Sequence, residues 1–296
     1  MNAESAYQAH ETLVAPGRAK SHIWRILAGL GIIAGVSYAL NLGAFLLVLQ
    51  LSSAADLAAV VQGSTPAAML LVLVTFGFMA LGAGVAGRLL QGRSFVSLVG
   101  PLAPLLHQFT RVFLRLLIVF GIVLLLPPYD FGAPLVPNLA LSLWLGLLPL
   151  SLLAVLVQVS AEEVVFRGYL QQALAARFQN PLIWLLLPSA LFGLAHYMPQ
   201  EAGDNAWLLC LWAMGFGLVT ADLTARAGTL GPAIAVHFFN NIVALLVVAS
   251  PSSLNGLGLY LLPYDLSDVA GLRPWLMVDC ATMLVAWLVA RLAIRR

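Results

Sequence analysis

The sequence predicts an all-α integral membrane protein that crosses the bilayer with about eight helices. Of its 296 residues, 61% are hydrophobic and 9% are charged, whereas soluble domains average about 25% charged residues. The apolar runs are continuous and roughly 20 residues long, the length that a bilayer core requires of a helix. The short alternating segments of a membrane β-barrel do not occur. Because helices satisfy their own backbone hydrogen bonds in lipid, these runs favour a helical bundle.

Polar or turn-forming stretches separate the predicted spans. The spans cover residues 23–50, 67–90, 109–127, 139–178, 181–199, 206–226, 230–249 and 274–294. The fourth is too long for one crossing, so we expect it to protrude from the membrane or to break. The stretch "RSFVSLVGPLAPLLHQ", between the second and third spans, holds two prolines and is better suited to the membrane interface than to crossing.

The distribution of charge predicts the orientation of these spans. If the N-terminus is cytoplasmic, the outer side holds a single basic residue, Arg273, and the other loop charges there are acidic. The basic residues on the inner side are Arg18, Lys20, Arg25, Arg88, Arg93, Arg111, Arg115, Arg177, Arg226, Arg291, Arg295 and Arg296. The acidic residues on the outer side are Asp56, Asp130, Glu201, Asp204, Asp265 and Asp268. This asymmetry follows the positive-inside rule and predicts that both termini are cytoplasmic. We expect the membrane to be a bacterial cytoplasmic membrane.

Composition also excludes several classes of protein. The net charge of +2 leaves no basic footprint for a nucleic-acid partner. Cys210 and Cys280 both lie inside apolar runs, which argues against a disulfide scaffold and a zinc–thiolate site. Residues 1–21 are predicted to form a polar cytoplasmic tail, since the first apolar run is too long for a signal peptide and no cleavage site follows it.

Few polar residues lie within the apolar spans, and each is a functional candidate. A charged side chain at the bilayer centre costs about 2.5–3.5 kcal/mol on insertion scales. The set is Glu162, Glu163, Arg167, His196, Asp222, His237, Asn240, Asn241 and Asp279. Asp222 precedes Arg226 by four residues, which predicts a local ion pair. Asp279 has no partner nearby in sequence, and its role is left open.

The segment "SAEEVVFRGY" carries three of these charges. On a helix, Glu162 and Glu163 point about 100° apart, so the two carboxylates cannot serve the same purpose. Glu163 stands four residues before Arg167, in the favourable orientation for an ion pair. We therefore predict that Glu163 and Arg167 are a structural pair and that Glu162 is unpaired on another face. The alternative is a purely structural staple of all three residues between helices.

Helix geometry brings further polar residues towards Glu162. The midpoint between Glu162 and His196 falls in the turn sequence "RFQNPL", so an antiparallel hairpin places both at the same height, each about 25 Å from the turn. His237 reaches this level if that hairpin projects further into the cytoplasm than the next one. Asn241 shares a helix face with His237. Phe192, one turn before His196, is predicted to pack against the imidazole ring.

Two chemistries suit this constellation. A glutamate shielded from water can act as a general base on a water molecule that a histidine helps to hold. A second histidine and an asparagine can donate hydrogen bonds to an oxyanion, each worth about 2.7–4 kcal/mol where measured. That combination hydrolyses an acyl bond, most simply a peptide bond. Glu162, His196 and His237 also suit zinc ligation with an activated water. Spacing does not decide between these mechanisms, although no H-E-x-x-H motif is present.

The order E-E-x-x-x-R, F-x-x-x-H and H-x-x-x-N on successive helices resembles the CAAX protease and bacteriocin-processing family, also called Abi or type II CAAX prenyl endopeptidase-like. The resemblance covers roughly residues 140–250. It implies that Glu162 and His196 activate the water, that His237 and Asn241 form the oxyanion site, and that the second glutamate and the arginine are structural. It also implies an intramembrane endopeptidase whose partners are membrane lipid and a peptide or lipidated-protein substrate, of prenylated CAAX or leader-peptide type. Both metal-dependent and metal-free mechanisms have been argued for such proteins.

The predicted organisation has four parts. The tail of residues 1–21 precedes three non-diagnostic helices in 22–138, a catalytic core of helices four to seven in 139–250, and an outer loop with the last helix in 251–296. The competing hypothesis is a non-proteolytic scaffold or a transporter that uses the same polar cluster. A transporter should show inverted repeats or helices broken at mid-membrane, and neither is clear in this sequence.

Overall fold

The computed structural model describes residues 6–51, 53–126 and 134–295. Its membrane helices, α1 to α8, are Ile23–Leu51, Pro66–Gln91, Leu102–Leu124, Leu141–Arg177, Pro181–Ala195, Ala206–Ala227, Gly231–Val247 and Val269–Ile294. Within the described residues, six helices are long and apolar enough to cross a membrane, and α5 and α7 are shorter apolar helices. The predicted all-α polytopic membrane fold is therefore confirmed.

The orientation of the bundle stays a prediction, and two residues on which it rests, Asp130 and Arg296, lie outside the described residues. We call the end at which α4, α6 and α8 finish the inner end, and the opposite end the outer end. Short helices precede α1 and connect some of the long helices. They span Gln8–His10, Glu11–Val14, Ala15–Lys20, Ala54–Gln62, Phe95–Val99, Pro199–Ala202 and Gly203–Asn205.

Helix α3 begins at Leu102, seven residues before the span predicted from hydropathy. The backbone before it turns sharply, because Gly100 adopts a φ of +94° and Pro101 is the residue at the N-cap. Pro104 falls in the first turn, where a proline is tolerated because the backbone N–H has no intrahelical acceptor. The stretch expected to lie at the interface is therefore split between a short helix and the first turns of α3.

The fourth helix is the longest in the described chain. It runs for 37 residues, or about 55 Å, which exceeds a hydrocarbon core of about 30 Å. It protrudes without breaking, but its hydrogen-bond pattern changes to that of a π-helix over Val164–Gln171. Such π-helical turns are frequent at functional sites, and this one begins directly after Glu163.

Glycines allow two pairs of helices to approach closely. A Cβ at Gly193 of α5 would lie 2.6 Å from the Cys210 carbonyl oxygen of α6, and one at Gly82 of α2 would lie 2.9 Å from Cα of Ile33 on α1. Small residues drive helix association in membranes through this close backbone packing. The α5–α6 contact places Phe192 beside Phe216, with ring centroids 6.4 Å apart.

At the outer end, three two-residue strands join the loops. β1 (Val136–Pro137), β2 (Val248–Ala249) and β3 (Tyr260–Leu261) have the order β1-β3-β2. β3 pairs antiparallel with β1 and parallel with β2. The predicted outer loop of 251–296 is thus tied to the loops that precede α4 and follow α7.

Residues 6–20, expected to be part of a polar tail, fold against the inner end of the bundle. The Tyr7 hydroxyl donates to Asp222 Oδ1 at 2.8 Å, and the His10 ring packs 4.8 Å from the Trp184 ring. His10 is buried, which lowers its pKa to about 4. The pKa of Tyr7 is raised to about 12, mainly by burial and secondarily by the hydrogen bond to Asp222. Hydropathy does not predict this docking, because the segment contains few large apolar residues.

Candidate active site

Glu163 and Arg167 form the ion pair that their spacing predicts. Arg167 Nη1 lies 3.2 Å from Glu163 Oε1, and the two side chains are 1% and 0% exposed. Arg167 Nη2 donates to the Gly217 carbonyl oxygen of α6 at 3.2 Å. The guanidinium group also lies 4.6 Å from the ring centroid of Phe192 on α5. The pair therefore connects α4 with both helices of the neighbouring hairpin.

His237 of α7 lies against both glutamates. Its Nδ1 is 2.8 Å from Glu163 Oε1, and its Nε2 is 3.4 Å from Glu162 Oε2. Neighbouring side chains on a helix diverge by about 100°, and a ring positioned between the two directions reaches both. Glu162 is therefore not isolated from the Glu163–Arg167 pair, contrary to the expectation from sequence.

The two ring nitrogens of His237 differ in their contacts with the glutamates. A carboxylate only accepts hydrogen bonds, so Nδ1 donates its hydrogen to Glu163. Glu162 Oε2 is buried and makes no hydrogen bond within the described residues, because the 3.4 Å approach lacks hydrogen-bond geometry. This oxygen is therefore a buried acceptor that no described group satisfies.

Asn241 extends the contact between α4 and α7. Its Nδ2 donates to Gln158 Oε1 at 2.8 Å, and its own Oδ1 accepts from Asn240 at 3.1 Å. Gln158 stands one turn before Glu162, just as Asn241 stands one turn after His237. The two antiparallel helices are thus joined by two successive polar contacts. Sequence reasoning missed Gln158 as a site residue, although a buried amide four residues before Glu162 was a usable signal.

His196 lies apart from this cluster. It is the first residue beyond α5, whose last helical residue is Ala195. Its Nδ1 is 2.8 Å from the Phe192 carbonyl oxygen, so Nδ1 carries the hydrogen and Nε2 is the acceptor in the neutral ring. Within the described residues, no hydrogen bond or ion pair joins His196 to Glu162.

Phe192 contacts both histidines. Its ring centroid is 4.5 Å from that of His196 and 6.0 Å from that of His237. The contact with His196 is the one predicted from the one-turn spacing. Phe216 contacts the other side of His237 at 5.1 Å. These apolar rings keep the charged groups in a low-dielectric environment, in which electrostatic interactions are stronger than in water.

The arrangement does not fit the zinc alternative. A catalytic zinc site needs three protein ligands around the metal. In the part of the chain that the structure describes, no group of three or more His, Cys, Asp or Glu side chains could hold a metal ion. Glu162 and His237 face each other, but His196 does not complete a set with them. We therefore derive no step through a metal.

The predicted Asp222–Arg226 ion pair is confirmed. Arg226 Nε lies 2.8 Å from Asp222 Oδ1, and the carboxylate also accepts from Trp287 Nε1 of α8 at 2.9 Å. With the Tyr7 contact, Asp222 joins three parts of the chain at the inner end. Its position is structural and outside the polar cluster around His237.

The fold and the cluster define a polytopic membrane protein with a buried group of charged and polar side chains on α4 and α7. Residues 140–243 match the model of the type II CAAX prenyl endopeptidase Rce1-like family. The matched segment contains the whole cluster, and the resemblance predicted from the motifs is confirmed over this segment. That family is one of endopeptidases, so the match supports a hydrolase.

One curated relative extends beyond the matched segment. The chain is 24% identical over 256 residues to the uncharacterised protein YyaK of Bacillus subtilis (strain 168), an alignment that covers 83% of this chain and 84% of that protein. No solved structure matches significantly.

Proposed function

We propose that this protein is an intramembrane endopeptidase that hydrolyses a peptide bond of a membrane-associated substrate, with Glu162 as the general base. One observation carries the proposal: Glu162 Oε2 is buried, lacks a hydrogen bond and faces His237 Nε2 at 3.4 Å. A carboxylate in this setting is available to a water molecule and is shielded from competing solvent. The match of residues 140–243 to an endopeptidase family supports the same conclusion.

The proposed reaction begins with the proton on His237 Nε2 and an ionised Glu162. Glu162 takes a proton from water as the water oxygen bonds to the substrate carbonyl carbon. Glu162 then returns the proton to the amine nitrogen as the carbon–nitrogen bond breaks. His196, with its acceptor Nε2, helps to hold the water.

Two donors would stabilise the oxyanion. The Asn241 amide nitrogen carries two hydrogens, and only one is donated to Gln158, so the second can bond the substrate oxygen. The Nε2–H of protonated His237 is the other donor. Each such hydrogen bond contributes about 2.7–4 kcal/mol to the transition state. Glu163 and Arg167 act as positioning residues, because the Glu163 carboxylate fixes the orientation of the imidazole.

The remaining parts of the proposal follow from sequence and family. The catalytic core is residues 139–250, and the substrate is a prenylated CAAX-type protein or a leader peptide. The protein resides in a bacterial cytoplasmic membrane with both termini cytoplasmic, as the distribution of Lys and Arg indicates. A bacterial relative of similar length supports the bacterial setting.

Comparison of membrane peptides from cells carrying the wild type and Glu162→Gln tests the proposal. The substitution preserves size and hydrogen bonding but removes the base, so we expect proteolysis to fall at least about 100-fold. Glu201→Gln is the matched control, because Glu201 is an exposed residue that contacts Ser253 at the outer end. The control should retain full activity, and both variants should unfold at the wild-type temperature.

Two results would reject parts of the proposal. Full activity of Glu162→Gln would remove Glu162 from the mechanism. Identical peptide profiles in wild-type cells and in cells lacking the protein would favour the scaffold or transporter hypothesis instead. Activity after thorough chelation, with and without added zinc, tests the metal separately.

A further inference from the structure

A groove on the surface of the bundle lies between α3 and α8, outside the polar cluster. It encloses about 190 Å³ and is lined by Arg115, Ile118, Val119, Val289 and Leu292. Four of these five residues are aliphatic, and Arg115 supplies the charge. Ile118 and Leu292 are 60% and 72% exposed, so the groove opens onto the lipid-facing surface near the inner end of α8.

The charge of Arg115 is not neutralised by the protein. Within the described residues, Arg115 makes no hydrogen bond, ion pair or ring contact, and the same is true of Arg111. These two arginines are four residues apart on α3, where like charges destabilise a helix. Helix α3 contains no acidic residue between Leu102 and Leu124. An anion at this position would therefore relieve a repulsion that the chain leaves in place.

We propose that the groove binds an anionic phospholipid of the surrounding membrane. The phosphate would contact the Arg115 guanidinium, with Arg111 nearby, and an acyl chain would lie along Ile118, Val119 and Val289. Arginine matches the geometry of a phosphate through paired hydrogen bonds. Basic pockets between membrane helices on the cytoplasmic side are suited to acidic lipid headgroups.

The apolar lining distinguishes a lipid from a soluble anion. Free phosphate would use the guanidinium groups alone and would leave the aliphatic groove without an occupant. A phospholipid satisfies both parts of the site, and it is present at high local concentration wherever an integral membrane protein resides. This inference rests on the membrane fold and is independent of the proposed protease activity.

Native mass spectrometry of the full-length protein in a neutral detergent tests the inference. The probes are dioleoylphosphatidylglycerol and dioleoylphosphatidylcholine, and the variants are Arg115→Gln, Val289→Trp and the control Arg88→Gln. Arg88 is an exposed arginine near the inner end of α2. One basic residue near a membrane surface contributes to the affinity for an anionic lipid. Its loss should therefore weaken binding of the first phosphatidylglycerol molecule about five-fold.

We expect Arg115→Gln to lose affinity for phosphatidylglycerol and to leave phosphatidylcholine binding unchanged. Val289→Trp should also weaken phosphatidylglycerol binding, because the larger side chain fills the groove without changing the charge. The control should behave as the wild type. If Arg115→Gln and Arg88→Gln lose phosphatidylglycerol affinity equally, the lipid is held by non-specific electrostatic attraction, and the proposal is overturned. So would equal wild-type affinity for the two lipids, or displacement of phosphatidylglycerol by millimolar glycerol phosphate.

Discussion

Replacing Glu163 by glutamine should be far more damaging than its small change in shape suggests. The substitution leaves the Arg167 guanidinium buried at 1% exposure without its carboxylate. Removing one partner of a buried ion pair costs about 3–5 kcal/mol. We expect the lower end, about 3 kcal/mol, because glutamine still accepts hydrogen bonds. Arg167 also keeps the Gly217 carbonyl oxygen and the face of the Phe192 ring.

A double-mutant cycle measures this effect. The free energy of unfolding of wild type, Glu163→Gln, Arg167→Met and the double variant is determined by reversible unfolding in mixed detergent micelles. The double variant should be more stable than Glu163→Gln, since an apolar replacement of a buried ion pair is often neutral or stabilising. Proteolysis should nevertheless remain low in the double variant, because His237 has lost the carboxylate that orients it.

The prediction fails if Glu163→Gln lowers the free energy of unfolding by less than about 1 kcal/mol, which is the range of an exposed ion pair. It also fails if the double variant is no more stable than the single one. Either result would mean that water reaches Arg167 and that the pair is not desolvated as its burial indicates.

Two further predictions concern the inner end and the helix packing. Burial lowers the pKa of His10 to about 4 from 6.5, so its contribution to docking of residues 6–20 is complete above pH 6.5 and decreases as the pH falls towards 4. At pH 5 the free energy that stabilises docking is reduced by about 2 kcal/mol, and hydrogen exchange of this segment should detect the change. In His10→Phe this pH dependence should be absent. Gly193→Ala places a Cβ 2.6 Å from the Cys210 carbonyl oxygen and should destabilise the bundle by about 1–3 kcal/mol in thermal unfolding. Gly43→Ala, which meets no atom within 4 Å, should leave the unfolding temperature unchanged.

Hydropathy and local spacing correctly predicted the structural features that lie within a single helix. The eight apolar helices, the Glu163–Arg167 pair and the Phe192–His196 contact all follow from a periodicity of 3.6 residues. The early start of α3 was missed because residues 102–108 are only moderately apolar and contain two polar side chains, His107 and Gln108.

Contacts between helices were less accessible from sequence. Whether His237 reaches one glutamate or both depends on the rotation and height of α7 against α4, and packing of the whole bundle sets these quantities. The Gln158–Asn241 hydrogen bond depends on the same register. The position of His196 beyond the end of α5 also required the structure, since hydropathy continues past the residue at which the helix stops.

The hydrogen bonds of Asp222 have a consequence for biosynthesis. Tyr7 is separated from Asp222 by 215 positions, and Trp287, which bonds the same carboxylate, belongs to the last helix. At about 5–20 residues per second, a ribosome needs roughly 10–40 s to make the intervening chain. The N-terminal segment therefore leaves the ribosome long before its binding surface exists. It must wait at the membrane until the helix that carries Asp222 has been made, so its docking is a late step of assembly.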